Sequence, residues 1–327
     1  MNILVLGAGT FGTAIANELS VNTANNVVLF SRNQSTVDEI NTLHTNKSFF
    51  PNKHLTKDIQ ASSEKNIIKE ADILLVALPS SVIIDTLLQL KSYLKQDVLL
   101  VNLSKGLFVG GVTIVDEIKN SLNIDNVVTL KGPSFAVEVM EHADTLLTLG
   151  YTTKQQYAMI NKIVKNTSIH LDCTTDIRGV EMLSVLKNIY ALVIGVVDAK
   201  YNSSNTRFMI LTKAFSEIRI LLRSLGGTED TLFLACGFGD FCLTSLNDLS
   251  RNRTLGLLIG KGFFNADYKS NSVILEGLNA IETFHALIAE DVVKELPLFN
   301  KLHNFIAKKE SEFEIEFCKL FDIPNAK

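Results

Sequence analysis

Residues 1–20 read MNILVLGAGTFGTAIANELS, an apolar run that ends in Gly7-Ala8-Gly9-Thr10-Phe11-Gly12 and passes directly into an amphipathic stretch. No other feature limits the fold as tightly. Phe11, Ala14, Ile15 and Leu19 recur at three- and four-residue steps, so a helix starting there presents one apolar face to a sheet that begins with the preceding strand. The glycines suit that arrangement one by one: Gly7 permits the tight turn, Gly9 lets backbone approach a pyrophosphate, and Gly12 lets the helix pack close to the strand. A lone GxGxxG is a weak signal. Here its position between a strand and a helix N-terminus, whose N–H groups attract an anion, marks a dinucleotide cradle.

The rest of the first half repeats the alternation. Strand candidates are Asn2 to Leu6, Val27 to Phe30, Ile73 to Ala77, Val98 to Leu103 and Val127 to Thr129, separated by helical patterns, as in parallel βαβ units. Polar loops follow three of them: Pro79-Ser80-Ser81, Ser104-Lys105-Gly106 and Lys131-Gly132-Pro133-Ser134. In open α/β sheets ligands bind at that carboxyl edge. From about Arg178 strand-like runs disappear, and helical patterns run from Gly179 to about Leu225, then around Thr254 to Leu258, Ile274 to Ala289 and Glu310 to Leu320. The expected architecture is α/β: an N-terminal Rossmann-type, doubly wound, mostly parallel sheet over residues 1–178, and a C-terminal all-helical domain over residues 179–327. Without a Pro- or Ser-rich linker, a helix is expected to join them.

Charge and composition narrow the function classes. A net charge of −4, with Lys and Arg scattered among acids, offers no basic face for nucleic acid or anionic lipid. Apolar runs such as Ala191 to Val197 fall short of the roughly 18 residues that span a bilayer. A strand that starts at residue 2 leaves no room for a secretory signal, so a cytoplasmic location is expected. Cys173, Cys236, Cys242 and Cys318 form no CxxC pair and the six histidines are isolated, so neither disulfides nor a metal centre is expected.

Two positions bear on the chemistry. An acid for the adenosine ribose is expected at the end of the second strand, about twenty residues past the glycines. Phe30-Ser31-Arg32-Asn33 stands there instead, and Arg32 with Ser31 suits a 2′-phosphate, which favours NADP at least as much as NAD. Arg32 could also simply be solvated or stack on adenine. The second position is Lys187, set in the apolar stretch MLSVLKNIYALVIGVV. A buried unpaired ammonium is costly. Lys187 therefore either snorkels, pairs with a carboxylate such as Glu181 or Asp240, or serves as a general acid and base. Further on, Ser250-Arg251-Asn252-Arg253 near a helix start offers a guanidinium, a hydroxyl and an amide to a phosphate.

Through GAGTFGTA, SKGL, GPSFAVEV, GVEMLSVLKN, GFGDFCLTS, SRNRTLG and ILEG, in that order, nearly the whole chain resembles the bacterial-type NAD(P)-dependent glycerol-3-phosphate dehydrogenases. The resemblance implies that Lys187 is the catalytic acid and base. It implies that Lys105, Gly132, Ser134, Lys187, Asp240, Ser250, Arg251 and Asn252 hold dihydroxyacetone phosphate or sn-glycerol 3-phosphate. Gly7, Gly9, Thr10, Phe11, Gly12, Arg32, Lys105, Ala136, Arg251, Ile274 and Glu276 would line NAD or NADP. A homodimer and a role in phospholipid synthesis are implied as well. Two departures from the family pattern stand out. GALKN is replaced by Ser184-Val185-Leu186-Lys187-Asn188, and GDN-x-R by Ser203-Ser204-Asn205-Thr206-Arg207, where Asn205 and Arg207 remain to contact a phosphate or to brace the loop. The alternatives are a dehydrogenase of the wider β-hydroxyacid group, with Arg251 clamping a carboxylate, and a nonenzymatic NAD(P) sensor.

Overall fold

A computed structural model describes residues 1–263, 276–307 and 313–321. Its eight strands form one sheet: β1 (Asn2–Leu6), β2 (Asn26–Phe30), β3 (Gln60–Ser62), β4 (Ile73–Val76), β5 (Leu99–Asn102), β6 (Val127–Lys131), β7 (Thr145–Gly150) and β8 (Ile169–Thr174), in the order β3-β2-β1-β4-β5-β6-β7-β8. The six strands from β3 to β6 in that order run parallel, β7 runs antiparallel to β6, and β8 runs parallel to β7. The chain steps outward from β1 to β3 and then returns to the other side of β1 with β4. This reversal puts the topological switch point between β1 and β4.

The doubly wound expectation follows from the side chains. β4, β5 and β6 are buried at every position, as parallel strands covered on both faces must be. Alternate residues feed separate cores. Ile3 and Val5 pack with Ala14, Ile15 and Leu19, whereas Leu4 and Leu6 pack with Ile83, Leu87, Ile114 and Ile118. The helices supplying them are α1 (Thr10–Ser20), α2 (Gln34–Leu43), α3 (Ile83–Leu90), α4 (Ile114–Leu122), α5 (Ala136–Met140) and α6 (Lys154–Val164). Phe11, expected on the apolar face, is only partly buried there.

Beyond the sheet come α7 (Ile177–Tyr201), α8 (Ser204–Ser224), α9 (Asp240–Leu246), α10 (Arg251–Gly260), α11 (Glu276–Leu287), α12 (Glu290–Lys294), α13 (Pro297–Ala307) and α14 (Phe317–Leu320). The chain divides into two compact units, one of residues 1–108, 112–181 and 234–236, the other of residues 109–111, 182–233 and 237–327. The division falls within α7. Although its longest apolar run is short, α7 as a whole has the length and hydropathy of a membrane span, yet its most apolar 18-residue window is entirely buried, as in a core helix.

Several expectations needed adjustment. β3, β7 and β8 were not anticipated: QAS is too short to show alternation, and IHLDCT carries polar residues on a sheet edge, where solvent tolerates them. The continuous helical pattern from Gly179 to Leu225 is broken at Asn202, whose φ of 40° ends α7, and Ser203 then caps α8 by accepting from Thr206 N at 3.3 Å. The helix expected from Glu310 to Leu320 is, among the described residues, non-helical over residues 313–316 and reduced to the short α14.

Candidate active site

In the sheet unit every residue expected to hold the dinucleotide sits past the carboxyl end of a parallel strand. Gly7 and Gly9 lie between β1 and α1, Thr10, Phe11 and Gly12 form the first turn of α1, and Arg32 is exposed two residues past β2. Lys105 follows β5 and Ala136 opens α5, while Gly132 and Ser134, expected to hold the substrate, lie between β6 and α5. The glycine turn can be tested by asking what a methyl group would meet. At Gly12 it would lie 1.9 Å from the Gly7 carbonyl oxygen, so helix and strand are as close as a glycine allows. Gly7 has a φ of 116° and a Cβ there would sit 2.6 Å from the Ala77 carbonyl oxygen. Gly9 differs: nothing lies within 4 Å of its missing Cβ. The packing therefore demands the first and third glycines and leaves open space beside the second, where a pyrophosphate would pass. Gly9 is also the N-cap of α1 and offers no side chain to its first turn, which contains no acid. Its N–H donors therefore remain for an anion.

The loop after β6 is equally constrained. Gly132 has a φ of 156°, and the Ser134 hydroxyl donates to the Gly132 carbonyl oxygen at 3.1 Å.

In the helical unit the question posed by Lys187 has a definite answer. Its side chain is 5% exposed, and its ammonium donates to Asp240 Oδ1 and, at 2.9 Å, to Thr244 Oγ1. It does not snorkel. Asp240 opens α9 directly after a π-helical turn, Ala235–Gly239, and is itself buried. Glu181, the other carboxylate considered for Lys187, is bound within the sheet unit to Lys131. Thr244 was missed from the sequence, although the register that puts Asp240 and Thr244 one turn apart on α9 could have flagged it.

Ser250 is the N-cap of α10, accepting from Arg253 N at 3.3 Å, so Arg251 and Asn252 occupy the first turn, with Arg251 exposed. Asn252 is buried, and its Oδ1 has no hydrogen-bond partner among the described residues. A Cβ at Gly277 would lie 2.8 Å from that oxygen and 3.1 Å from the Asn188 carbonyl oxygen, so α11 brings its first turn against both the Lys187-Asn188 and the Asn252 segments. Glu276 is the first residue of α11; Ile274 lies outside the described residues.

Arg253 does not extend a phosphate fork. Its guanidinium is buried and ion-paired with Asp198, with Nε 3.0 Å from Asp248 and a further bond to the Ser245 carbonyl oxygen. Burial pushes Arg253 down, but the hydrogen bonds to Asp198 and Asp248 outweigh it and hold the guanidinium above its ordinary range. Arg207 from the altered segment joins the same acid, its Nε 2.5 Å from Asp198 Oδ1. Of the two roles open to Arg207, the structure supports bracing.

A mostly parallel sheet with a glycine cradle at its switch point, continuing through α7 into helices that bury a lysine–aspartate pair, is the make-up of a two-unit nicotinamide-dependent dehydrogenase. The family models for the N-terminus and the C-terminus of NAD-dependent glycerol-3-phosphate dehydrogenase match residues 2–157 and 176–315. The chain belongs to this family. Its relatives include the glycerol-3-phosphate dehydrogenase [NAD(P)+] of Methanothermobacter thermautotrophicus, 33% identical over 95% of each chain, and that of Neorickettsia sennetsu, 31% identical over 88% of this chain and 84% of the other. Among solved structures it resembles glycerol-3-phosphate dehydrogenase from Coxiella burnetii, with a TM-score of 0.82, 27% identity and 95% of each chain covered.

Proposed function

We propose that this chain is an NAD(P)-dependent sn-glycerol-3-phosphate dehydrogenase in which Lys187 is the general acid for reduction of dihydroxyacetone phosphate and the general base for the reverse reaction. The observation that carries the reading is the buried Lys187–Asp240 pair, in a chain that belongs to the dehydrogenase family. When bound, the nicotinamide supplies the hydride. Gly7, Gly9, Thr10, Phe11 and Gly12 hold its pyrophosphate, with Arg32, Lys105, Ala136, Arg251, Ile274 and Glu276 along the rest of the dinucleotide.

As the carbonyl carbon is reduced, negative charge grows on its oxygen. The Lys187 ammonium stabilises that charge and delivers a proton from Nζ, while Asp240 and Thr244 fix its direction. Ser250, Arg251 and Asn252 hold the phosphate, the guanidinium pairing with its oxygens and the helix N-terminus favouring its charge. Lys105, Gly132 and Ser134 complete the substrate contacts. Binding energy at the phosphate orients the reacting carbon. The proposal includes NADPH being accepted at least as well as NADH, because Arg32 stands where a ribose-binding acid would repel a 2′-phosphate. It also includes a homodimer, located in the cytoplasm and supplying phospholipid synthesis.

The test is loss of nicotinamide absorbance when dihydroxyacetone phosphate is mixed with the protein and NADPH or NADH. Turnover is expected with both. No loss with either nucleotide refutes the reading, and nucleotide binding without turnover would favour a sensor. Protection by small hydroxy acids in place of glycerol 3-phosphate would favour the β-hydroxyacid alternative.

A further inference from the structure

Beneath the loop that carries Lys105 lies a second buried ion pair, and nothing in the reaction uses it. Lys131, the last residue of β6, and Glu181, in the first turns of α7, have side chains 0% and 1% exposed, with Nζ 3.3 Å from Oε1. Both belong to the sheet unit. Burying two charges is expensive, and a pair of well-packed apolar residues would often serve stability as well, so such a pair calls for a role other than adhesion.

Its hydrogen bonds indicate the role. The Lys131 ammonium donates to the Ser104 carbonyl oxygen at 2.6 Å and to that of Asn102 at 3.1 Å. Asn102 Nδ2 donates to both Glu181 oxygens, at 2.9 and 3.1 Å, and to the Ser104 carbonyl oxygen at 3.2 Å, while Asn102 Oδ1 accepts from Ser104 N at 2.9 Å. Thr129 Oγ1 donates to Glu181 as well. The Ser104 hydroxyl reaches the Leu78 carbonyl oxygen at 2.5 Å. Every polar group of residue 104, the residue before Lys105, is thus tied down, and its carbonyl is held by the buried ammonium. Remove Lys131 and that carbonyl loses its charged donor; remove Glu181 and the ammonium loses its counter-charge.

We infer that Lys131 and Glu181 are positioning residues, which fix the backbone at Ser104 so that Lys105 is presented to the substrate in one orientation. The inference rests on the proposed role of Lys105. It assigns the pair its chief effect on substrate capture; the glycine turn that would cradle the pyrophosphate is not touched by the pair, so the dinucleotide loses at most the share of its contacts that Lys105 makes.

The test uses the full-length enzyme. Lys131→Met or Glu181→Gln alone leaves a buried group unpaired and is expected to destabilise the fold, so the informative variant is the double one, Lys131→Met with Glu181→Gln, which buries no charge. We expect its melting temperature to return to near that of the parent while KM for dihydroxyacetone phosphate stays raised by about tenfold or more, the scale on which a misplaced contact acts. The dissociation constant for NADH, most of whose contacts do not involve Lys105, should change far less than KM does. If the double variant recovers stability and KM together, the pair is structural and the inference is overturned; if NADH binding weakens in parallel with KM, it is overturned too. Lys105→Ala separates this from the parent reading. Should that change alone leave KM untouched, the role of Lys105 fails first. If it raises KM, adding the double substitution in the Lys105→Ala background should raise KM no further, and a full additional increase would show that Lys131 does not act through Lys105.

Discussion

Glu217 offers a prediction whose size can be worked from the structure. Its carboxylate lies in the helical unit and accepts from Leu298 N at 2.9 Å, from Phe299 N at 3.0 Å and from the Tyr190 hydroxyl at 3.0 Å, joining α8 to α7 and to the N-terminus of α13. Burial raises it from 4.5 to about 7, against the three donors and Lys213, which pull it down. The folded chain therefore holds this proton more tightly than the unfolded chain does. The resulting stabilisation is fully present below pH 4.5 and is lost as pH rises through about 7. At about 1.4 kcal/mol per pH unit, the interval amounts to about 3 kcal/mol. Glu217→Gln removes the titration. At about pH 5 the variant should be the weaker by about 1–3 kcal/mol, because its amide NH2 opposes a backbone N–H. At about pH 8 the comparison should have moved by about 3 kcal/mol in favour of the variant, closing or reversing the gap. The chain has no tryptophan, so urea unfolding is best followed by far-UV circular dichroism, taking the transition that the substitution moves. A gap between parent and variant that is the same at both pH values would refute the reasoning.

Three further outcomes are expected. Lys187→Ala should lower kcat by about 10²–10⁴-fold while the dissociation constant for NADH stays within about twofold, which single-turnover rates and nucleotide titration would show. Gly9→Ala and Gly12→Ala should part company: the first keeps the melting temperature and loses nucleotide affinity, because its methyl meets only the open cradle, whereas the second unfolds more easily, because its methyl would sit 1.9 Å from a backbone oxygen. Arg32→Asp should shift initial rates toward NADH over NADPH by about tenfold or more, and an unchanged ratio would remove Arg32 from the adenosine end.

How much of this could be read from the sequence depended on whether the decisive contact was local. The glycine turn was legible because strand, turn and helix are consecutive in the chain, so spacing alone carries the geometry. Lys187 was conspicuous because a charge interrupts a long apolar helix, but its partner was not: Glu181 is six residues away and Asp240 fifty-three, and only the fold could choose between them. β7 and β8 were hidden for a related reason. A strand next to the sheet edge needs no continuous apolar run, and the antiparallel turn at β6 breaks the βαβ rhythm that had located the others.

The two buried lysines show why sequence distance misleads. Lys131 ends an apolar strand and Lys187 interrupts an apolar helix, each is ion-paired with a buried carboxylate, and either acid could have been assigned to Lys187 from its position in the chain. The fold keeps the pairs in different units, so they are chemically distinct despite their likeness. Lys187 donates to the side chains of Asp240 and Thr244, both carried by α9. Lys131, besides its pairing with Glu181, donates to the backbone carbonyls of Asn102 and Ser104. Those two carbonyl bonds fasten the loop that follows β5. The two arginines of the SRNR segment also differ: Arg253 is ion-paired with Asp198 and Asp248, whereas Arg251 beside it is exposed, as the proposed phosphate contact requires.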